Sequence, residues 1–251
     1  MVNDFKLPTS ALIFDMDGTM IDSMPYHAKS WAVFAQRHGV TMDLAELMRR
    51  TTGRTGTECM GELFGRPMTH DEALPLVQEK EEIYREMFAS EFCEVKGFKA
   101  FYATARKLGL KTCVGTAGDI HNVAFALSLL MLDESPHAVI RGDMGLPGKP
   151  KPAIFLEASR AVSAPASASI VFEDAPLGIE AARRAGMRAV AICSTHSADE
   201  LAGPHVIAAV KNYDELMAQG FLQSLKISPD ASNFSVQAEP VEALRQAQGE
   251  R

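Results

Sequence analysis

The chain has 251 residues, 47% of them apolar and 23% charged, ordinary proportions for a globular protein with room for one large domain or two. A net charge of −7 argues against nucleic acid or an anionic membrane as the main partner, while an anionic small molecule could still bind where the local field is positive. No run approaches membrane-spanning length, MVNDFKLPTS lacks a signal-peptide core, and Cys59, Cys93, Cys113 and Cys193 form no CxxC pair, so a cytoplasmic chain with reduced thiols, monomeric or weakly homo-oligomeric, is expected.

The first element is ALIFDMDGTMIDS, residues 11–23, an apolar run that ends in two acids and a glycine. Its length and the Gly18 turn predict a buried strand, and residues two apart on a strand share a face, so Asp15 and Asp17 leave its end together. Two like charges so close need a cation or a shared proton. A calcium loop fails: counted from Asp15, the sixth residue is Met20, not glycine, and the twelfth is Tyr26, not glutamate.

Residues 25 to about 92 read as mostly helical. PYHAKSWAVFAQRHG runs from Pro25 to Gly39, and DEALPLVQEKEEIYREMF has apolar residues at helical spacing, with its regular part expected to start near Pro75. Between them TTGRTGTE reads as a short loop. From about residue 97 helices alternate with short apolar strands: KTCVGT, AVIRG, SIVFED, MRAVAIC and HVIAAV. That rhythm predicts a parallel sheet with helices on both faces, to which the opening strand belongs. The expected organisation is a Rossmann-like α/β core of residues 1–22 and 93–222, an inserted all-helical cap at 23–92, and a polar tail at 223–251 with little independent order.

Open α/β sheets bind ligands beyond the carboxyl ends of their strands, so the tips are read together. After Asp15 and Asp17, CVGTAG offers Thr116, followed by the Ala117 backbone N–H for an anion; a hydroxyl there more often caps a helix. In GLPGKPKP the prolines at 147, 150 and 152 stiffen a loop carrying Lys149 and Lys151, and a positioned lysine suits phosphate. IVFEDA ends in Glu173 and Asp174, an acidic pair that alone would be an ordinary solvated turn. Converging carboxylates suit Mg²⁺, with one carboxylate left to attack a phosphoryl group and its neighbour to move a proton.

Asp15-x-Asp17-Gly18-Thr19, Thr116, Gly148-Lys149-Pro150-x-Pro152 and Glu173-Asp174, in that order over roughly residues 10–217, resemble the haloacid dehalogenase superfamily of phosphohydrolases. Gly178, Ala181, Ala182 and Gly186 are similar to the subgroup holding β-phosphoglucomutases and sugar-phosphate phosphatases. The resemblance implies a Rossmann-like core with a helical cap, and an Mg²⁺-dependent phosphatase acting on a small phosphorylated metabolite through an aspartyl-phosphate. It makes Asp15 the nucleophile and a metal ligand, Asp17 the acid/base with its carbonyl on the metal, and Asp174, with Glu173 beside it, a metal ligand. Thr116, Ala117 and Lys149, rather than Lys151, hold the phosphoryl group.

On the cap side His27 and Lys80 match positions that β-phosphoglucomutases use for substrate and for orienting the acid/base. Read alone they are a helix-surface histidine and a lysine in a solvated charge run. Arg54 is the third cap-side candidate. Gly56 stands where the mutase carries an arginine for a second phosphate, and Ile120 where it has an asparagine, which favours a phosphatase over a phosphohexomutase. True dehalogenases lack the second acid that Asp17 supplies. A non-enzymatic receiver domain, with similar groups on about half this length, leaves the cap unexplained.

Overall fold

The computed structural model describes residues 8–41 and 43–228. The elements follow in chain order as β1 (Pro8–Thr9), β2 (Ala11–Phe14), α1 (Met24–Arg37), α2 (Leu44–Thr51), α3 (Gly56–Phe64), α4 (His70–Ala89) and α5 (Phe98–Lys107). Then come β3 (Lys111–Gly115), α6 (Ile120–Leu130), β4 (Ala138–Ile140), α7 (Ala153–Ala161), β5 (Ser169–Glu173), α8 (Pro176–Arg184) and β6 (Arg188–Ile192). The last are β7 (Val206–Val210), α9 (Tyr213–Ala218), α10 (Phe221–Ser224) and β8 (Lys226–Ile227).

Among the described residues, six strands form one parallel sheet in the order β4-β3-β2-β5-β6-β7. The α/β core with a helical cap expected from the alternating pattern is therefore present. From β2 the chain moves outward to β3 and β4, then returns to β5 on the other side and moves outward again. The loops leaving β2 and β5 thus diverge and open a crevice at their carboxyl ends. Every residue of β2 is fully buried, Leu12 and Phe14 facing one apolar cluster and Ala11 and Ile13 the other. Phe14 stacks on Phe172 of β5 at 4.7 Å between centroids and meets Phe98 edge-on, so the strand bearing the acids is anchored in aromatic packing.

The helices α1 to α4 have an apolar cluster of their own, including Trp31, Phe34, Leu47, Met60, Leu63 and Ile83. The two chain crossings between this block and the core run side by side: Asp22 N–H donates to the Cys93 carbonyl, Val95 N–H to that of Met20, and Ile21 pairs antiparallel with Glu94.

Two local expectations change. The stretch read as a loop, TTGRTGTE, holds the end of α2 and the start of α3, whose first turn is fixed by the Glu58 carboxylate accepting from the Thr55 N–H and hydroxyl. Helix α4 starts at His70, not near Pro75, because Thr69 and Glu72 cap its first turn reciprocally; Pro75 lies inside it. Of the polar tail, residues 223–228 continue α10 and pair β8 with β1, and the rest of that expectation, 229–251, lies outside the described residues.

Candidate active site

Asp15 follows the last residue of β2, Glu173 ends β5 and Asp174 follows it, so the two strands flanking the crevice bring three carboxylates together. One oxygen from each lies within 4.8 Å of the others, and all three residues are buried. Glycine makes the approach possible. A Cβ on Gly18, held at φ +77°, would run into the Asp174 carboxylate, and one on Gly178 into that of Glu173.

The Lys149 ammonium reaches into this cluster, donating to Asp15 Oδ1 at 2.5 Å and Glu173 Oε2 at 2.8 Å. Lys149 is 2% exposed while Lys151 is at the surface. Burial works against the ammonium, but Asp15 and Glu173 outweigh it and hold its proton more tightly than in an ordinary lysine. Three acids still face one base. Burial first, then the charge of Glu173, pushes Asp15 well above the usual carboxylate range against the pull of Lys149. Burial and Glu173 likewise lift Asp174 to about 8. Such a cluster favours either protons or a further cation. Oxygen donors at an open strand end are the set that Mg²⁺ takes.

Asp174 is oriented by the Thr195 hydroxyl, 2.5 Å from Oδ2, and Ser194 donates to the Gly18 carbonyl at 2.5 Å. Sequence reasoning missed both, although they follow β6 and reading one more strand tip would have found them. The Thr116 hydroxyl oxygen accepts from Gly118 N–H at 3.0 Å, leaving its proton to point elsewhere. Among the described residues the N–H groups of Met16, Asp17 and Ala117 meet no acceptor, so the loops after β2 and β3 offer free donors for an anion.

Asp17 turns toward the cap. Its Oδ1 accepts from Ser23 Oγ at 2.6 Å, faces His27 Nε2 at 3.1 Å and accepts from the Tyr84 hydroxyl at 3.4 Å. Ser23 stands at the N-cap of α1 but makes no side-chain cap bond there, its hydroxyl being spent on Asp17. A forgone cap costs about 1 kcal/mol, which local helix stability alone would not favour. Burial tends to raise Asp17, but the hydrogen bonds of His27 and Ser23, with the Lys80 ammonium nearby, hold its carboxyl below the usual range.

The Lys80 ammonium lies 2.7 Å from His27 Nδ1 and 2.9 Å from Glu81 Oε1. An ammonium only donates, so His27 Nδ1 is the acceptor and Nε2–H points at Asp17. Lys80 is 2% exposed, with the Trp31 and Tyr84 rings 5.0 and 5.5 Å from its nitrogen. It does not lie on a solvated face. Glu81 Oε2 accepts from Asn122 Nδ2 of α6 at 2.8 Å, and Arg85 donates to Asn122 Oδ1 at 2.8 Å, so the cap helix clasps the core. Tyr84 and Asn122 also escaped sequence reasoning; Tyr84 sits one turn beyond Lys80 on the same helix face.

These two halves enclose a cavity of about 360 Å³ that reaches from Asp15 and Asp174 to Trp31, Met60 and Val77. Arg54 lines it, its guanidinium 3.4 Å from the Glu62 carboxylate, which also pairs with Arg50. The Arg54 loop rests on the core: a Cβ on Gly148, beside Lys149, would press on Glu58 and Thr55.

Comparison with known proteins gives a consistent result. Residues 9–186 match the family described as haloacid dehalogenase-like hydrolase. The validoxylamine A 7'-phosphate phosphatase of Streptomyces hygroscopicus subsp. limoneus is 32% identical over 78% of this chain and 91% of its own. The fructose-1-phosphate phosphatase YqaB of Escherichia coli K12 is 30% identical over 72% and 95%. A crystal structure of β-phosphoglucomutase from Clostridium difficile superposes with a TM-score of 0.74 at 21% identity, covering 86% of this chain and 96% of that one, a likeness of fold.

Proposed function

The chain belongs to the haloacid dehalogenase-like hydrolases, and on that premise we propose that it is an Mg²⁺-dependent phosphatase of a small phosphorylated metabolite, a sugar phosphate by class, working through an aspartyl-phosphate. The observation that carries the reading is the pairing of two unlike acids at one strand tip. Asp15 is drawn into a buried anionic cluster with Lys149, Glu173 and Asp174, while Asp17 is drawn to His27, Ser23 and Tyr84. Separate partners divide the two carboxylates between roles: in the metal-free chain the Asp15 carboxyl is raised above the usual range and that of Asp17 lowered. The division therefore requires a bound cation to ionise Asp15 and a proton arriving with the substrate for Asp17 to carry. Family membership also removes the receiver-domain reading.

Asp15, Asp174, Glu173 and the Asp17 carbonyl would hold the ion, whose positive charge offsets the crowded carboxylates and draws charge from the phosphoryl oxygens. Thr116, Lys149 and the Ala117 N–H hold those oxygens. Asp17, ionised in the free chain, takes up the proton that the phosphate monoester brings; an Asp15 oxygen then attacks phosphorus, the bond to the leaving oxygen breaks, and Asp17 hands that oxygen the proton. Asp17, now a carboxylate, takes a proton from the water that attacks the same phosphorus, and Asp15 leaves with its charge restored. His27 and Lys80, expected to grip substrate, here serve Asp17: Lys80 fixes the His27 tautomer, and His27 fixes Asp17. Arg54 remains at the far end of the cavity as a substrate contact.

The test is phosphate release from a panel of phosphorylated metabolites with Mg²⁺ and with EDTA, alongside acid-quench detection of acid-labile, hydroxylamine-sensitive phosphate on the protein. Metal-dependent turnover with a transient phospho-enzyme is expected. Full activity in EDTA would overturn the reading.

A further inference from the structure

The loop after β6 reaches into the anionic cluster although it brings no acid of its own. Thr195 Oγ1 lies 2.5 Å from Asp174 Oδ2 and 3.0 Å from the Asp174 carbonyl. His196 Nδ1 is 2.9 Å from that carbonyl and 2.9 Å from Thr195 Oγ1. A carbonyl only accepts, so Nδ1 carries a proton and Thr195 is left to spend its own on the carboxylate. At 2.5 Å that contact falls in the range of a charge-assisted O–H···O⁻ bond, the strong kind. Ser194 meanwhile donates to the Gly18 carbonyl, and Gly18 packs so closely on Asp174 that an added Cβ would stand 2.2 Å from Oδ2. One oxygen of Asp174 is thus bonded by Thr195 and walled by a glycine that Ser194 holds.

The other carboxylates are engaged too. Lys149 donates to Asp15 Oδ1 and Glu173 Oε2, and Ala175 N–H donates to Glu173 Oε1 at 3.2 Å. Each of the three acids therefore already has at least one oxygen engaged. Asp174 Oδ1 is the freer of its pair, with the Thr19 hydroxyl at 3.5 Å. That division selects between cations. Mg²⁺ takes single oxygens and waters in a strict octahedron, whereas Ca²⁺ takes a larger, looser shell and often grips a carboxylate by both oxygens.

We infer that Thr195 is a positioning residue: it restricts Asp174 to one oxygen for the ion and so sets the site's preference for Mg²⁺ over Ca²⁺. Ser194 supports it by holding the Gly18 wall. The inference rests on the metal-dependent reading above and deepens it. An outer partner that fixes a carboxylate acts on the choice of ion without touching it.

The experiment titrates Mg²⁺ alone and Ca²⁺ alone, by calorimetry, into the native chain and into Thr195→Val, Thr195→Ser and Ser194→Ala. Thr195 is exposed, so valine removes the hydroxyl at little cost in packing. In Thr195→Val, Mg²⁺ should bind roughly ten- to a hundredfold more weakly. Ca²⁺ should lose less than about threefold, because the freed Oδ2 becomes a second oxygen for it. Thr195→Ser keeps the hydroxyl and should bind both ions as the native chain does. Ser194→Ala should shift the ratio of the two dissociation constants the same way by roughly two- to tenfold, and it decides the matter if the valine variant does not fold. Unchanged Mg²⁺ binding in a folded Thr195→Val overturns the inference. So does an equal loss of both ions, a serine variant that behaves like valine, or no shift in Ser194→Ala. Mg²⁺-dependent phosphate release by the native chain in any of those cases leaves the phosphatase reading standing. A native chain that takes up no Mg²⁺ overturns both.

Discussion

The sheet side and the cap side of the cavity manage charge in opposite ways. On the sheet side, three buried carboxylates share one ammonium, and two of them are pushed far above their ordinary range. On the cap side the charged groups are largely paired: Lys80 with Glu81 and Arg54 Nη1 with Glu62, while among the described residues the Arg54 Nε is buried without a partner, and His27 reaches across to Asp17. The first arrangement leaves negative charge in excess of its one ammonium; the second pairs most of its charges within the cap. On the proposed mechanism Asp15 attacks from the crowded side, while the proton that Asp17 moves is governed by partners reaching over from the cap.

The strongest way to break this contrast is Asp15→Asn, which should reduce turnover to the limit of detection and leave no phospho-enzyme on acid quench. Retained turnover would move the nucleophile elsewhere. Asp17→Asn should cost about 10²–10⁴-fold in kcat, roughly 3–5 kcal/mol of barrier, with folding intact; a loss under about threefold would show that another group moves the proton. Both changes alter one atom of one strand tip, yet they interrogate opposite sides of the cavity.

Removing His27 or Lys80 (His27→Ala, Lys80→Met) sharpens the comparison further. A charge-assisted hydrogen bond is worth about 1.5–3 kcal/mol, so kcat/KM should fall roughly ten- to a hundredfold. If these residues act through Asp17, the loss appears for a sugar phosphate and for ethyl phosphate alike, since both leaving oxygens need a proton. It should nearly vanish for 4-nitrophenyl phosphate, whose leaving group needs none. A loss confined to the sugar would return them to gripping substrate. Asn122→Ala, one bond further from Asp17, should show the same pattern at about three- to tenfold.

The smallest effect is thermal. A carboxyl lifted in the folded state, as Asp174 is to about 8 from its ordinary 3.8, stabilises fully below about pH 4 and loses that contribution as pH rises toward 8. The metal-free chain should therefore melt a few degrees lower at pH 8 than at pH 5.5 on this account. Mg²⁺ needs ionised carboxylates, so the melting temperature it restores should grow over the same window. A gain from Mg²⁺ that shrinks with pH would place the ion elsewhere.

What the sequence could reveal divides along the same line. Asp15, Thr116 and Asp174 were legible because a buried strand ends where its apolar run ends, and the parallel sheet collects such ends on one edge. Lys149 was separable from Lys151 only by likeness to a known motif; composition treats them alike. The burial of Lys80 was not legible. EKEE reads as a solvated run, and what buries it is His27 and Trp31, distant in sequence and brought close by helix packing. Helix α3 was legible in principle, since Thr55 and Glu58 carry the capping-box spacing, but two glycines in TGRTG outweighed that signal. Thr195 was overlooked for a different reason: its strand carries no acid to draw attention.

The paired crossings at Ile21 and Glu94 bear on how such a protein acquires new work. Chain leaves the core and re-enters it at adjacent, hydrogen-bonded positions, so the helical block is joined covalently at a single seam, while Glu81 and Arg85 bond Asn122 of the core farther out. No strand of the sheet must shift register to accept a longer, shorter or entirely different insert there, because the seam closes on itself with Asp22 to Cys93 and Val95 to Met20. Ancestry can therefore exchange the selecting half as a spare part while the reacting half is inherited whole. The graft is not wholly free, however. Four residues separate Asp17 from Asp22, and the first turn beyond the seam supplies Ser23 and His27 to Asp17, so any replacement that keeps the acid working has to begin with groups able to hold that carboxylate.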